Sequence, residues 1–223
     1  MFCLAACCLL KKRLPPNRQG GASIDLKALC DIKFGVTTLA IFLIEFAVFI
    51  PYTYISSYAI HMGIETQTAY RLNAILNAGA ILGRVLPGHV ADPFGVFNTM
   101  CVTALTCTAF ILGLWFNAGR DETMITSFAV LFGFWSGAAI SLTPVCVGQI
   151  CDTKDYGKRS GTSFFVASFG ALTGIPLAGA ILQARGGAYD GLILFAGGFY
   201  GASLAAFITA RCIARGCGLK VVF

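Results

Sequence analysis

Charged side chains are scarce in this sequence of 223 residues. Asp, Glu, Lys and Arg make up 12% of it, whereas a typical soluble domain is about 25% charged. A water-soluble fold of this length would lack the charge that normally covers a protein surface. Hydrophobic residues make up 57%, and the mean hydropathy is +0.78. They occur in continuous blocks that are apolar on all sides, which is typical of helices in a membrane protein.

The sequence also lacks the motifs of the common enzyme classes. It contains no GxSxG, HExxH or P-loop, and no GxGxxG between a strand and a helix. The ten cysteines include no CxxC pair, so neither a disulfide framework nor a redox pair is indicated. We interpret the cysteines as small hydrophobic residues, with palmitoylation of Cys7 and Cys8 as the alternative. The chain is therefore predicted not to be an enzyme and to use no cofactor and no metal.

Basic residues outnumber acidic residues by 16 to 10, which gives a net charge of +6. They lie between the apolar blocks, so we interpret them as topology signals and expect no nucleic-acid partner. If the richer side faces the cytosol, both ends of the chain are cytosolic, and the plasma membrane is the expected location. The richer side receives Lys11, Lys12, Arg13, Arg18, Lys27, Lys33, Lys154, Lys158, Arg159, Arg211, Arg215 and Lys220, and the other side receives Arg71, Arg120 and Arg185.

Six apolar blocks are each about 20 residues long, which is the length that a helix needs to cross a bilayer. Residues 34–214 are therefore predicted to form an all-α, polytopic membrane bundle of six transmembrane helices. Residues 1–33 are predicted to be a cytosolic segment and basic linker that starts with the end of an earlier helix, and residues 215–223 a cytosolic tail. The predicted spans are Phe34–Ile60, Thr68–Val90, Val96–Phe116, Met124–Gln149, Gly161–Ala184 and Leu192–Ala214.

Glycine and proline recur inside these spans. Four spans contain two glycines four residues apart, a spacing that lets helix backbones approach closely. Proline removes a backbone hydrogen bond and favours a bend, so Pro51 and Pro176 are predicted to have structural or gating roles. The glycine pairs are Gly79/Gly83, Gly133/Gly137, Gly170/Gly174 and Gly197/Gly201.

Arg84 places a permanent positive charge inside the second span. Such a charge is costly in a bilayer and usually faces the interior of a helix bundle. Its planar guanidinium can hold a carboxylate through two parallel hydrogen bonds, and Gly83 and Pro87 leave room around it. One interpretation is therefore an anion-binding site. The other is that the long side chain reaches the headgroup region and has no further role.

Glu45 is the only acidic residue well inside a span. A carboxyl group among apolar neighbours is more stable when protonated, as a proton-coupled carrier requires. Glu45 either binds the transported proton or forms a hydrogen bond to a neighbouring helix. Arg84 is one candidate partner for its carboxyl group. Tyr54, Asn77 and Ser141 are predicted to line a substrate cavity together with Glu45 and Arg84, although polar residues in spans commonly link helices instead.

The segment GHVADPFG, from Gly88 to Gly95, is predicted to contain the reverse turn between the second and third spans. Asp92 is expected to stabilise the N-terminus of the next helix as a cap or through its charge, with an influence on gating. The segment resembles the GxxADxxG loop of the major facilitator superfamily, with Pro93 where that family usually has an arginine.

Longer stretches resemble fungal monocarboxylate-transporter-like proteins of this superfamily and cover nearly the whole chain. The resemblance implies that the chain is the C-terminal half, helices seven to twelve, of a twelve-helix carrier. It also implies that Arg84 binds the substrate carboxylate. Animal members have an Asp one turn earlier, where this chain has Ala80. The stretches are LPP from Leu14, DLKAL from Asp25, PYTYISSYA from Pro51, ILGR ending at Arg84, SGT from Ser160 and GIPLAG from Gly174.

The resemblance predicts transport of a small, monocarboxylate-like organic anion across a lipid bilayer, coupled to protons. Carriers of this kind bind their substrate between two six-helix halves, so the chain is expected to need an N-terminal half or a second copy of itself. The alternative is a truncated membrane protein that does not transport, and that only binds a partner half or is inactive.

Overall fold

The computed structural model describes residues 24–215, which form six long helices. No strand occurs between these residues, and all six helices are long and apolar enough to cross a membrane. The predicted six-helix, all-α membrane bundle is confirmed. The predicted end of an earlier helix in residues 1–10 lies outside the described residues, as does most of the predicted tail. The helices are α1 (Ile32–His61), α2 (Thr66–Phe94), α3 (Val96–Phe110, continued by a π-helical turn at Ile111–Trp115), α4 (Glu122–Ile150), α5 (Tyr156–Ala184) and α6 (Asp190–Arg215), and a short 3-10 helix (Leu26–Cys30) precedes them.

Each predicted span coincides with one helix, and the clearest difference is at the end of α2. The predicted end of the second span at Val90 was wrong, because the helix continues through Asp92 and Pro93 to Phe94. The chain reverses at Gly95, whose φ of 86° lies in the left-handed region that favours glycine. The fixed φ of proline is compatible with a helix, so Pro93 removes only one backbone hydrogen bond from the last turn.

Glycine brings α2 and α4 together, backbone against backbone, at Gly79 and Gly83 on α2 and at Gly133 and Gly137 on α4. A Cβ atom on Gly83 would overlap the carbonyl oxygen of Phe134. Any side chain there would force the two helices apart. The close approach predicted from the glycine spacing is confirmed for this pair of helices.

A third predicted glycine pair joins α5 to α1 in the same way. A Cβ atom on Gly174 would overlap the carbonyl oxygen of Phe46, and Gly170 lies against Phe42. The pair in α6 differs, because Gly197 faces the side chain of Leu112 instead of a backbone. Spacing alone therefore does not distinguish a backbone contact from ordinary side-chain packing.

The helices differ strongly in how much of them the bundle covers. In their most apolar stretches, 67% of the residues of α1 and 56% of those of α4 are buried, against 28% for α2 and 22% for α5. Thus α1 and α4 form the centre, and α2 and α5 lie at the periphery, each with a large apolar surface. The exposed residues of these surfaces include Ile81, Leu82, Val85, Phe164, Phe169 and Leu172.

Candidate functional site

Arg84 lies on α2 directly after Gly83, the residue that packs against α4. Its side chain is exposed in the six-helix bundle, and it forms no salt bridge with any residue between 24 and 215. The guanidinium is within electrostatic range of the Tyr52 hydroxyl of α1, and Gly83, the residue before it, lies against α4.

Two hydroxyl groups complete this region. The Tyr52 Oη atom lies 3.0 Å from the Ser136 Oγ atom of α4, and the Ser136 hydroxyl donates a 3.1 Å hydrogen bond to the carbonyl oxygen of Gly133. Because Ser136 uses its only proton in that bond, Tyr52 donates and Ser136 accepts. We call Arg84, Tyr52 and Ser136 the polar cluster, in which a hydrogen bond joins α1 to α4 and the Arg84 cation of α2 lies within electrostatic range of Tyr52.

The sequence did not identify Ser136 as a functional candidate. It is fully buried, whereas the selected residue of the same helix was Ser141. The Ser141 hydroxyl instead donates to the carbonyl oxygen of Ala138 in its own helix, at 3.1 Å. The one available signal is that Ser136 follows Gly133 by three residues, so that a serine sits one turn after a helix-packing glycine.

Asn77 lies seven residues before Arg84, which is about two helical turns and places both on one face of α2. Its side-chain amide donates to the backbone oxygen of Asn73 at 2.8 Å and to the Asn73 Oδ1 atom at 3.0 Å. The Asn77 side chain is exposed, and its own carbonyl oxygen has no donor among residues 24–215. A polar strip therefore extends from Arg84 along α2.

Glu45 lies seven residues before Tyr52 on α1, on the same face and about 10 Å along the axis. Its side chain is half-buried, and it forms no hydrogen bond or salt bridge with residues 24–215. The candidate pairing with Arg84 is therefore absent. The buried Tyr200 hydroxyl of α6 is within electrostatic range of Glu45.

Tyr54 points to a different interface from the polar cluster. Its hydroxyl donates a 3.1 Å hydrogen bond to the carbonyl oxygen of Ile175 in α5 and lies against Gly179. Pro176 follows Ile175 directly and is exposed, whereas Pro51, the other predicted gating proline, is buried in α1. Tyr54 thus links α1 to α5 beside Pro176, and its role as a substrate ligand stays a prediction.

Asp92 does not make the predicted cap. The cap residue of α3 is Gly95, and no side chain accepts a hydrogen bond there. Asp92 instead lies exposed in the last turn of α2, because that helix continues past its predicted end at Val90. At the start of α3, the hydroxyl of Thr99 donates to the carbonyl oxygen of Gly95 at 3.1 Å. Gly88, the first glycine of the predicted loop, has open space beside it.

Chemically, the polar cluster can bind an anion. Arg84 supplies a fixed charge and two parallel donors, and apolar surroundings strengthen such interactions relative to water. Within residues 24–215, no three His, Cys, Asp or Glu side chains are grouped to hold a metal ion. The cluster offers binding groups and no arrangement of nucleophile and base.

No protein-family profile matches the chain, but several curated fungal proteins do. An MFS-type transporter of Gibberella moniliformis is 38% identical over 197 residues, which cover 88% of this chain and 47% of the relative. The riboflavin transporter MCH5 of Saccharomyces cerevisiae is 37% identical over 221 residues, covering 92% and 41%. The MFS transporter asaE of Aspergillus flavus is 38% identical over 216 residues, covering 96% and 48%.

These relatives confirm the resemblance to fungal transporters of the major facilitator superfamily. The chain spans less than half the length of the curated relatives that it matches.

Proposed function

We propose that this chain, which belongs to the major facilitator superfamily, is the C-terminal six-helix half of a transmembrane carrier for a small, monocarboxylate-like organic anion. The observation that carries the proposal is Arg84, which has no acidic partner among residues 24–215. A cation at this depth is costly unless it faces a cavity or a ligand. A carboxylate fits both the charge and the geometry of its guanidinium.

The neighbours of Arg84 support a binding role over simple contact with headgroups. Tyr52 and Ser136 place hydroxyl groups on the same side of the bundle, and Asn77 adds an amide on the same face of α2. A side chain that only reached the headgroups would need none of these groups. We propose that Arg84 binds the carboxylate and that Asn77 contacts the rest of the solute.

We propose that Glu45 binds the proton that moves with the anion. It lies on the face of α1 that carries Tyr52, and no basic residue neutralises it among residues 24–215. A carboxyl group in that position can alternate between protonated and ionised forms as its access to water changes. A proton bound there would offset the charge of the solute.

We propose that the exposed apolar surfaces of α2 and α5 pack against an N-terminal half or a second copy of this chain. Alternating access requires two halves that move around a site between them, and α2 carries the exposed Arg84. We further propose that both ends of the chain face the cytosol and that the plasma membrane is the location, from the distribution of Lys and Arg.

The alternative is a membrane protein that binds a partner half without transporting. The same apolar surfaces are compatible with it, since residues such as Leu172, which is 72% exposed, can pack against a partner half whether or not a solute moves. A stable complex with no uptake would support this alternative.

The test is uptake of radiolabelled lactate into proteoliposomes that contain the full chain together with the N-terminal half of a fungal relative. We expect Arg84→Ala to reduce uptake about 10- to 100-fold, because a hydrogen-bonded charge contributes about 1.5–3 kcal/mol. The matched control is Arg71→Ala, which removes an exposed arginine from the start of the same helix. Uptake that survives Arg84→Ala unchanged would contradict the anion site.

A further inference from the structure

The segment before α1 is tied to the start of α5 by two ion pairs. The Lys158 Nζ atom lies 3.0 Å from the Asp25 Oδ2 atom, and the Arg159 Nη1 atom lies 3.4 Å from the Asp31 Oδ2 atom. Two consecutive basic residues of α5 thus bind two acidic residues on either side of the 3-10 helix. We call the end of the bundle where they lie the basic end.

Hydrogen bonds extend the contact into the bundle. The Asp25 backbone N–H donates to the Thr162 Oγ1 atom at 2.8 Å, while the Thr162 hydroxyl donates to the carbonyl oxygen of Lys158 at 2.9 Å. Ser163, the next residue of α5, has its hydroxyl oxygen 3.0 Å from that of Thr38 in α1, and both are buried. The first turns of α5 therefore bind both the segment before α1 and α1 itself.

Arg159 and Asp31 each take part in a second interaction. The Arg159 guanidinium carbon lies 5.3 Å from the ring centre of Phe34, in a cation–π contact. The Asp31 carboxylate also accepts a hydrogen bond from the Lys33 N–H at 3.2 Å, which caps α1. Loss of this ion pair would therefore loosen the start of α1 as well as the start of α5.

The ion pairs are accessible enough to be reversible. In the Lys158–Asp25 pair, the side chains are 35% and 30% exposed. The hydrogen bond from Lys158 holds the pKa of the Asp25 carboxyl below its ordinary value, so the pair is ionised near neutral pH. Partly exposed pairs contribute little stability and are screened by salt. Such contacts hold a conformation without locking it.

The opposite end of the bundle lacks the equivalent pair. Asp121 caps α4 by accepting from the Thr123 and Met124 N–H groups, as Asp31 caps α1. The partner helix α2 carries Arg71 in its second turn, as α5 carries Arg159 in its first. Arg71 is exposed and forms no salt bridge within the described part of the chain. Within residues 24–215, the ion pairs that join two helical segments lie at the basic end.

We propose that Asp25–Lys158 and Asp31–Arg159 form an ionic latch, which holds the start of α5 against α1 in the arrangement seen here and releases when α5 moves away. Release would open the basic end of the bundle between α1 and α5. The apolar groove beside the latch, lined by residues such as Leu39, Phe42 and Val166, would widen with it. The latch does not depend on which solute is carried.

The test measures how fast a water-soluble maleimide labels Ser163→Cys in the full chain in lipid nanodiscs, with each cysteine peptide followed by mass spectrometry. Ser163 is fully buried with the latch closed. We expect Asp25→Lys or Lys158→Asp, each combined with Ser163→Cys, to raise labelling about fivefold, the upper range for a partly exposed pair. The double reversal, which restores opposite charges, should return labelling to its starting rate.

Lys154→Asp is the matched control, because Lys154 lies in the loop directly before α5 and, among the described residues, pairs with Asp152, both side chains being 75% exposed. It should leave the labelling of Ser163→Cys unchanged. If a charge reversal prevents folding, raising NaCl from about 0.05 M to about 1 M tests the unreversed latch, because screening shortens the range of charge interactions to about 3 Å. The latch is overturned if neither the single reversals nor high salt raise the labelling above that of Ser163→Cys alone at low salt. It is also overturned if the double reversal fails to restore the slow labelling.

Discussion

The helix pairs α2–α4 and α1–α5 both meet through glycine, yet they are held together differently. In α1–α5, the hydroxyl contacts of Thr38 with Ser163 and of Tyr54 with Ile175 add to the backbone approach. Between α2 and α4, no hydrogen bond occurs within the described residues, and packing alone holds the pair. Against α4, the helix that carries Arg84 is thus fixed by shape alone, whereas α5 is held against α1 by shape and polar contacts. Substitutions should therefore affect the two pairs by different mechanisms.

Gly83→Val is expected to give the largest effect. A side chain at this position overlaps the carbonyl oxygen of Phe134, and no hydrogen bond compensates for separating α2 from α4. We expect the free energy of unfolding, measured by SDS titration in mixed micelles, to fall by about 3 kcal/mol, the upper range for overpacking.

Gly88→Ala is the control for that substitution. It lies on the same helix, and nothing is within 4 Å of its added methyl group. Alanine is the better helix former, so we expect the free energy of unfolding to rise by about 0.5 kcal/mol. Equal losses for Gly83→Val and Gly88→Ala would contradict the idea that packing holds α2.

Tyr54→Phe tests the polar contribution to the α1–α5 pair. It removes the hydrogen bond to the Ile175 carbonyl and keeps the ring, so we expect a loss of about 1 kcal/mol in the free energy of unfolding. Tyr70→Phe, at a tyrosine 66% exposed, is the control and should change nothing. If both variants match the unaltered chain, the Tyr54 hydroxyl does not stabilise the α1–α5 pair, and the contrast between the pairs then depends on the contact between Thr38 and Ser163.

The smallest expected effect is the pH dependence of the ionic latch. Lys158 lowers the pKa of Asp25 in the folded chain, so the pair stabilises the fold above the ordinary pKa of aspartate, about 3.9. That contribution is lost as the pH falls through the lowered pKa.

Asp25→Asn removes the titrating group and provides the measurement. Thermal unfolding should show Asp25→Asn to be less stable than the unaltered chain at neutral pH, with the difference shrinking toward zero in strong acid. A difference that is constant across the whole pH range would mean that the carboxylate charge of Asp25 does not stabilise the fold.

The six spans could be predicted because hydropathy is a local property, and a helix in lipid must be apolar along most of its length. The end of α2 could not, because Asp92-Pro93 is compatible both with a turn and with the last turn of a helix. The π-helical turn at Ile111–Trp115 had no signal in the sequence, since its residues are as apolar as those of the helix before it.

The residues of the candidate site also differ in whether the sequence could identify them. Arg84 and Glu45 were selected because a charge in an apolar span is conspicuous by residue type. Ser136 was missed because a serine in a span is common, and only the position of Tyr52 on another helix distinguishes it. The partners in the ionic latch lie on segments far apart in the chain, so their pairing depends on how α1 and α5 pack.

One peptide group ties helix spacing to the orientation of a side chain. The absence of a Cβ atom on Gly133 allows the Leu76 backbone to approach, while its carbonyl oxygen anchors the Ser136 hydroxyl, and through it the Tyr52 phenol. A substitution that widened the gap between α2 and α4 would also move the hydroxyl to which Tyr52 is bonded. The distance between two helices and the shape of the polar cluster would then change together.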